Sequence, residues 1–390
     1  MSLSDCVASS NDLTRAWIGE LDAGKSLVAS GAGVWLLLNA LLTGASGDAQ
    51  QELAAALNMQ PDRAADAVET MLQAIRETSG AKEGLGVWAS KRAKVRPSYA
   101  NALPSAHVGS MQSTEEMDRW VRERTNGMIQ GFSEDITDET LLIAASALAV
   151  EADWTHPFDE NSGRWNGSQG RIGFLYRQSQ DLSGVQLVSH GDTVISRAIC
   201  ETTGGFDVHL LAGSPSNGPN DVFAAGFAAL AGDAQVVAGN DLDVGDSGGC
   251  LQVVERGGFE TEPYVRLGVP GFEIETRHEL LEKADFFGLV AAQDDSRGHF
   301  AGISDYPLAI EKAFQVAMAG FSATGFRAGA LSVAMMRGGA APPSTTERVI
   351  EILHNRPFGF VVVERSTRLV LFAGWVETPV QTLVEEGMHG

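Results

Sequence analysis

Apolar and polar positions follow a helical period early in the chain and break into short strand-like runs later. Residues 12–21, 34–43, 48–57 and 64–79 carry apolar side chains at three- and four-residue spacing, which predicts helices. Asp48 and Gln51 stand like an N-cap and its partner at the start of the third of these. A further helix is predicted over 114–130, ended by the Gly127 to Gly131 region. The apolar run 141–152 fits a helix or a buried strand by period alone, and Trp154 after it does not decide. From 184 to 269 short apolar segments alternate with Gly, Asn, Asp and Pro turns, which reads as sheet. Helices first and strands later predict an α+β fold.

The last quarter departs from both patterns. Residues 308–317 alternate and then cluster apolar side chains as a half-buried strand does, whereas 323–344 has no packed-helix period. Gly325, Ala328, Gly329, Ala330, Ser332 and Ala334 make this stretch small and nearly uncharged. Surface loops are usually more polar, so the segment reads as a strand without a sheet. Two apolar strands follow, around Asn355-Arg356-Pro357-Phe358 and Leu371-Phe372-Ala373-Gly374.

Composition fits one large body. With 390 residues and 44% hydrophobic content the chain can bury a substantial core, and no low-complexity linker or repeat divides it, so residues 1–390 are expected to form a single domain. The formal charge of −22 is spread along the sequence, which argues against nucleic acid or an anionic membrane as partner and favours a basic one. Met1-Ser2-Leu3-Ser4-Asp5-Cys6 shows no secretory leader, and apolar runs such as 34–42 are too short to span a bilayer. A cytoplasmic location is expected; a missing leader or unconventional export would make it extracellular. Cys6, Cys200 and Cys250 are odd in number and lack metal-ligand spacing, which reads as free, reduced thiols. No two histidines sit at i, i+4 on a helix, so neither a metal nor a cofactor is expected. The tryptophans read as packing residues.

Two motifs suggest enzymes. Gly19-Glu20-Leu21-Asp22-Ala23-Gly24-Lys25-Ser26 has phosphate-loop spacing, but that loop needs a strand before it and a helix after it, and the preceding residues have helical spacing. A helix-to-strand turn explains the match. Gly245-Asp246-Ser247-Gly248-Gly249 matches the nucleophile loop of trypsin-like proteases. None of His107, His156, His190 and His209 lies in the context that such a serine requires, so a tight turn is expected.

The chain resembles the serpins. Without a gap from Ser304, the run that precedes their reactive loop corresponds to Leu308, Ile310, Glu311, Lys312, Ala313, Gln315, Val316 and Ala317. The hinge glycine then falls on Gly325, and the small-residue run on Ala328, Gly329 and Ala330. Trp120-Val121 with Thr125-Asn126-Gly127-Met128-Ile129 resembles a helix end of the family. Trp154-Thr155-His156-Pro157-Phe158 resembles its W-x-x-P-F after a central strand. Pro270-Gly271-Phe272-Glu273-Ile274, His278-Glu279-Leu280 and Phe287-Gly288-Leu289 resemble a later series in the same order.

The resemblance implies a large mixed central sheet with helices over it, further smaller sheets, and an exposed reactive loop at about 323–347. It makes 141–152 a strand. It also implies a monomeric suicide-substrate inhibitor of serine proteases, extending to cysteine proteases, and not an enzyme. A protease attacks the loop, an acyl-enzyme forms, and the freed loop end enters the main sheet as a new strand. About fifteen residues at roughly 3.3 Å each would carry the protease on the order of 50 Å. By period 2, Phe326, Ala328, Ala330, Ser332, Ala334 and Met336 would share one face, and Arg327, Gly329, Leu331, Val333 and Met335 the other, where Arg327 reaches water. The hinge is thus Gly325, Phe326, Arg327, Ala328, Gly329 and Ala330.

Phe326 departs from the family, which usually places a small residue there. A phenyl ring must find a cavity or overpack the sheet, and it favours the alternative, a serpin-fold protein whose loop is cut without trapping. The region that lets the sheet open maps to Ser30, Gly33, Ser146, Gln315 and Trp154. Gln315 and Ser146 stand where the family usually has histidine and asparagine, and Gly33 where it has serine, which implies a different polar network. The loop is several residues longer than usual, with Pro342-Pro343 on its far side. Counting from Gly325 puts the cut at Gly339-Ala340. Arg337-Gly338 offers a trypsin-like pocket a basic anchor, and Met336 suits chymotrypsin- or subtilisin-like enzymes.

Overall fold

The computed structural model describes residues 1–20, 24–111, 113–131, 140–166, 171–258, 260–327 and 345–379. Its helices are α1 (Leu3–Ile18), α2 (Gly31–Gly44), α3 (Gly47–Leu57), α4 (Ala64–Glu77), α5 (Pro97–Ala102), α6 (Thr114–Arg124), α7 (Pro219–Ala231) and α8 (Ala284–Phe287). The early strands are β1 (Leu27–Ala29), β2 (Ala81–Ala89), β3 (His107–Ser110), β4 (Leu142–Val150), β5 (Ala152–Asp153) and β6 (Asp159–Arg164). β7 (Arg171–Ser179), β8 (Val185–His190), β9 (Thr193–Glu201), β10 (Phe206–Ala212), β11 (Gln235–Ala238), β12 (Ser247–Gly248) and β13 (Leu251–Gly258) follow. The last are β14 (Tyr264–Pro270), β15 (Phe272–Glu279), β16 (Ile310–Phe321), β17 (Gly325–Phe326), β18 (Thr345–Leu353), β19 (Phe358–Glu364) and β20 (Val370–Val376).

The strands form three sheets, an α+β arrangement as expected. In the main sheet β2 pairs β3 in parallel and β4 antiparallel, β4 and β16 run parallel in direct contact, and β15 flanks β16 antiparallel. The second sheet has the order β12-β13-β18-β14-β7-β6 and the third β1-β20-β19-β10-β9-β8-β11. The run 141–152 is strand: β4 is buried along its length because both faces are covered. Ile143, Ala145 and Ala147 pack with Phe314 and Val316 of β16 under Met117 and Val121 of α6. The alternate side chains of β4 and β16 point toward α2, which is buried all round and therefore lies inside the core.

Several boundaries differ from expectation. α1 begins at Leu3, because Ser2 and Asp5 form a reciprocal capping box ahead of the apolar spacing. Ser46, and not Asp48, holds the N-cap of α3, leaving Asp48 in the first turn. α6 stops at Arg124, and Gly127 takes a φ of 78° with its N–H on the Arg122 carbonyl, a left-handed turn that ends the helix. α7 interrupts the span read as sheet; Pro219 starts it and Gly232, at φ 86°, ends it.

Candidate functional site

Two places hold the expected hinge and sheet-opening residues, one where β17 lies between β16 and β5 and one where β16 meets β4. At one end, β16 turns back on itself. Ser322 Oγ accepts the Gly325 N–H at 3.2 Å, and Arg327 N–H returns to the Gly320 carbonyl at 2.8 Å. Gly325 and Phe326 form β17, wedged between Phe321 of β16 and Ala152-Asp153 of β5. A Cβ on Gly325 would sit 2.4 Å from the Ala152 carbonyl oxygen, so only glycine fits this approach. Below β17 the slot closes, and Ala317 pairs directly with Leu148.

Phe326 has 0% exposure and does not overpack this end of the sheet. Its ring stands 6.3 Å from Trp154 and 6.0 Å from Phe360, centroid to centroid and edge-on, and Trp154 in turn packs on Phe321 and Phe158. Trp154 also fastens the turn, donating its N–H to the Thr324 carbonyl and Nε1 to the Ser322 carbonyl, each at 2.9 Å. Arg327 faces the other way, is about one-third exposed, and forms ion pairs with Glu151 at 3.3 Å and with Asp153. Those two carboxylates had no signal in the local sequence.

Farther down, the structure brings four of the sheet-opening candidates together. Gln315 of β16 reaches the start of α2: its Oε1 accepts the Ser30 N–H at 2.8 Å and its Nε2 donates to the Ser30 carbonyl at 2.7 Å. Nε2 also stands 3.5 Å from Ser146 Oγ on β4. Ser30 Oγ caps α2 by accepting the Gly33 N–H at 3.1 Å. A Cβ on Gly33 would lie 2.8 Å from Gln315 Nε2 and 3.1 Å from Ser146 Oγ, so the longer glutamine uses space that the missing side chain leaves. Trp154 belongs to the hinge end, away from this cluster. His278, named from sequence only as part of the later family series, pairs with Gln315 across β15 and β16, and its Nε2 lies 2.8 Å from the Val28 carbonyl oxygen. Burial pushes its imidazole pKa below the usual value.

Ala328, Gly329, Ala330 and the reactive-bond candidates Met336, Arg337, Gly338, Gly339 and Ala340 lie outside the described residues. The phosphate-loop match runs from the end of α1 toward β1, a helix-to-strand connection. Ser247 is exposed on β12, where it pairs with Gln252 instead of lying in the expected turn, and with Gly249, Glu351 and Arg356 it lines a cavity that holds no histidine. Burial raises the thiol pKa of Cys6, Cys200 and Cys250 to about 11, so all three are poor nucleophiles. Among the described residues no three metal-binding side chains cluster, and no helix is long and apolar enough to cross a membrane.

A two-residue strand, β17, beside β16 in a mixed sheet that is clasped to a buried helix matches the architecture of known proteins. The serpin (serine protease inhibitor) family profile matches residues 10–166 and 255–379, and the chain belongs to this family. Serpin-Z2A of Oryza sativa subsp. japonica is 23% identical, over 93% of each chain. An uncharacterized serpin-like protein of Methanosarcina acetivorans is also 23% identical, over 75% of this chain and 66% of its own. Among solved structures, the native thermophilic serpin tengpin superposes with a TM-score of 0.73 at 15% identity, over 97% of this chain and 95% of its own. Human thyroxine-binding globulin with bound thyroxine gives 0.72 at 17%, over 96% and 98%. At these identities the structural matches show the fold.

Proposed function

We propose that the protein is a monomeric, single-domain suicide-substrate inhibitor of serine proteases, with its bait in the loop at about 323–347. One observation carries the reading: Gly325 and Phe326 already occupy the first two positions of a strand between β16 and β5 in the uncut chain. Strand growth is costly to start and easier to extend, since each later residue adds ladder bonds along edges already in place. Below β17, extension requires β4 and β16 to part, and the Gln315 clasp is the polar contact in its path. The next residues, Ala328, Gly329 and Ala330, are small enough to pass under α6.

The chemistry belongs to the protease. Its serine Oγ attacks the bait carbonyl, the amine of the following residue leaves with the proton, and an ester joins loop to enzyme. Insertion then draws the ester away before water attacks it. Arg337 is the favoured bait, because a basic side chain gives a trypsin-like pocket a charged anchor. The test is incubation with trypsin, chymotrypsin and subtilisin, followed by denaturing electrophoresis and mass spectrometry. An SDS-stable adduct with a cut between Met335 and Ala341, absent in Arg337→Ala when trypsin is used, is the expected result. Cleavage without adduct, and without a rise in melting temperature, would overturn the reading in favour of a loop that is cut without trapping.

A further inference from the structure

Arg327 and Arg337 are the basic side chains of the stretch 323–347. A trypsin-like pocket grips arginine, and Ala328 after the first is nearly as small as Gly338 after the second, so the local sequence offers such a protease both bonds. The two cuts have opposite consequences. An acyl-enzyme on Arg337 keeps residues 325–337 available to lay into the main sheet. An acyl-enzyme on Arg327 ends one residue past β17, so no further strand can form. Water then adds to that ester, the protease serine is regenerated, and the inhibitor is consumed with nothing trapped.

The structure engages Arg327 on every polar side. Its N–H is bonded to the Gly320 carbonyl at 2.8 Å. The register of β17 on β5 sets Gly325 opposite Asp153 and Phe326 opposite Ala152, which brings Arg327 beside Glu151. With Phe326 buried, alternation turns Arg327 to the side that carries both carboxylates. Its Nη1 donates to Glu151 at 3.3 Å and its Nη2 to Asp153, and its Nε is shut off from solvent. The carboxylates stand on anchored backbone: Glu151 donates its N–H to the Gly80 carbonyl, and the Asp153 carbonyl accepts the Thr203 N–H, each at 2.8 Å. Residues 323–346 contain no Asp or Glu, so the loop cannot supply these partners itself.

We propose that Glu151 and Asp153 are specificity-determining residues, which mask Arg327 from trypsin-like proteases and leave Arg337 as the basic bait. The proposal deepens the inhibition reading and rests on it for the role of Arg337. Cleavage inside a folded segment proceeds from a locally opened state, and its rate follows the population of that state when closing outpaces cutting. To present Arg327, β17 must leave the sheet and give up the Phe326 packing, the bond to Gly320 and both ion pairs. The ion pairs are partly exposed, so together they lower the opened population by about five- to tenfold.

The test uses the full chain carrying Arg337→Ala, in which Arg327 is the remaining basic residue of the loop, and follows trypsin cleavage by intact mass. Adding Glu151→Gln/Asp153→Asn should speed the cut after Arg327 by about five- to tenfold, and adding Arg327→Gln should remove that cut. Salt gives a second measure that leaves the carboxylates in place. At about 1 M salt the pairs are screened. The cut after Arg327, taken relative to trypsin's turnover of a small arginine ester, should then rise several-fold in the Arg337→Ala protein and stay level in the variant without the carboxylates. A rate at Arg327 indifferent to both changes overturns the masking. So does a speed-up shared by basic sites outside the loop, which would mark general loosening. With Arg337 in place, an adduct together with no such effect at Arg327 sinks the masking alone. Cleavage at Arg337 with neither adduct nor a rise in melting temperature removes the inhibition reading, and the rates at Arg327 still decide the masking.

Discussion

Replacing Phe326 with threonine tests the hinge most directly. Moving a phenyl ring from water to full burial is worth about 2–3 kcal/mol, and its edge-on contacts with Trp154 and Phe360 add about 1 kcal/mol. Threonine recovers less than about 1 kcal/mol of this. Docking of β17 should weaken by about 3 kcal/mol, a shift of about 10²-fold in the ratio of docked to free hinge. Hydrogen exchange at the Arg327 amide, which is bonded to the Gly320 carbonyl, should speed up by about that factor. The functional expectation runs the other way. Because Phe326 already sits in its place in the sheet, it is no obstacle to later insertion, and threonine should leave the ratio of adduct to cleaved inhibitor within about twofold of the wild type. A several-fold gain in adduct would refute the reasoning, since it would show that the ring impedes insertion.

Two further outcomes follow from the seam and the core. Gln315→Leu orphans the Ser30 N–H, which is buried, and removes the bond to the Ser30 carbonyl, a loss of about 2 kcal/mol. Unfolding entropy of about 2 cal/mol/K per residue gives about 0.8 kcal/mol/K for this chain, so calorimetry should find the native melting temperature lower by roughly 2–3 °C; an unchanged value would mean the clasp carries no load. His209 and His354 are buried and pushed down to about 3 by desolvation. The unfolded chain takes up protons below about 6.5 and the folded chain does not, so their contribution is complete above about 6.5 and is lost as pH falls toward 3. Each should cost about 1 kcal/mol per unit of pH over that window. Melting temperature should fall between pH 7.5 and 5.5, and less steeply in His354→Phe; a flat profile would show that the imidazoles are not held neutral.

What the sequence disclosed and what it hid divide along the range of the interactions. Ser30, Gly33, Ser146 and Gln315 could be placed through the family resemblance, because each matches a position at a fixed step along a strand or at a helix start, and in the structure Gln315 of β16 reaches the start of α2 and lies 3.5 Å from Ser146 of β4. The welcome that Phe326 finds could not. Its pocket draws Trp154, Phe321 and Phe360 from three separate segments, so the choice between a cavity and an overpacked sheet, open in one dimension, is decided for the cavity only in three. α7 was hidden for a different reason: its alanines and glycine give little contrast between faces, and the turn residues on either side outweighed them. Gly245 to Gly249 spells an enzyme's loop but reads as a tight turn; Ser247 and Gly248 within it pair with Gln252 and Leu251 as β12. Gly249, at φ 58°, passes so close to the Ala212 carbonyl that a Cβ would sit 2.0 Å away. Arg256 follows a few residues on and meets Glu347 across 91 positions of chain. No local pattern reports a cross-strand partner at that distance. Such a pairing becomes legible only when the register of β13 against β18 is known.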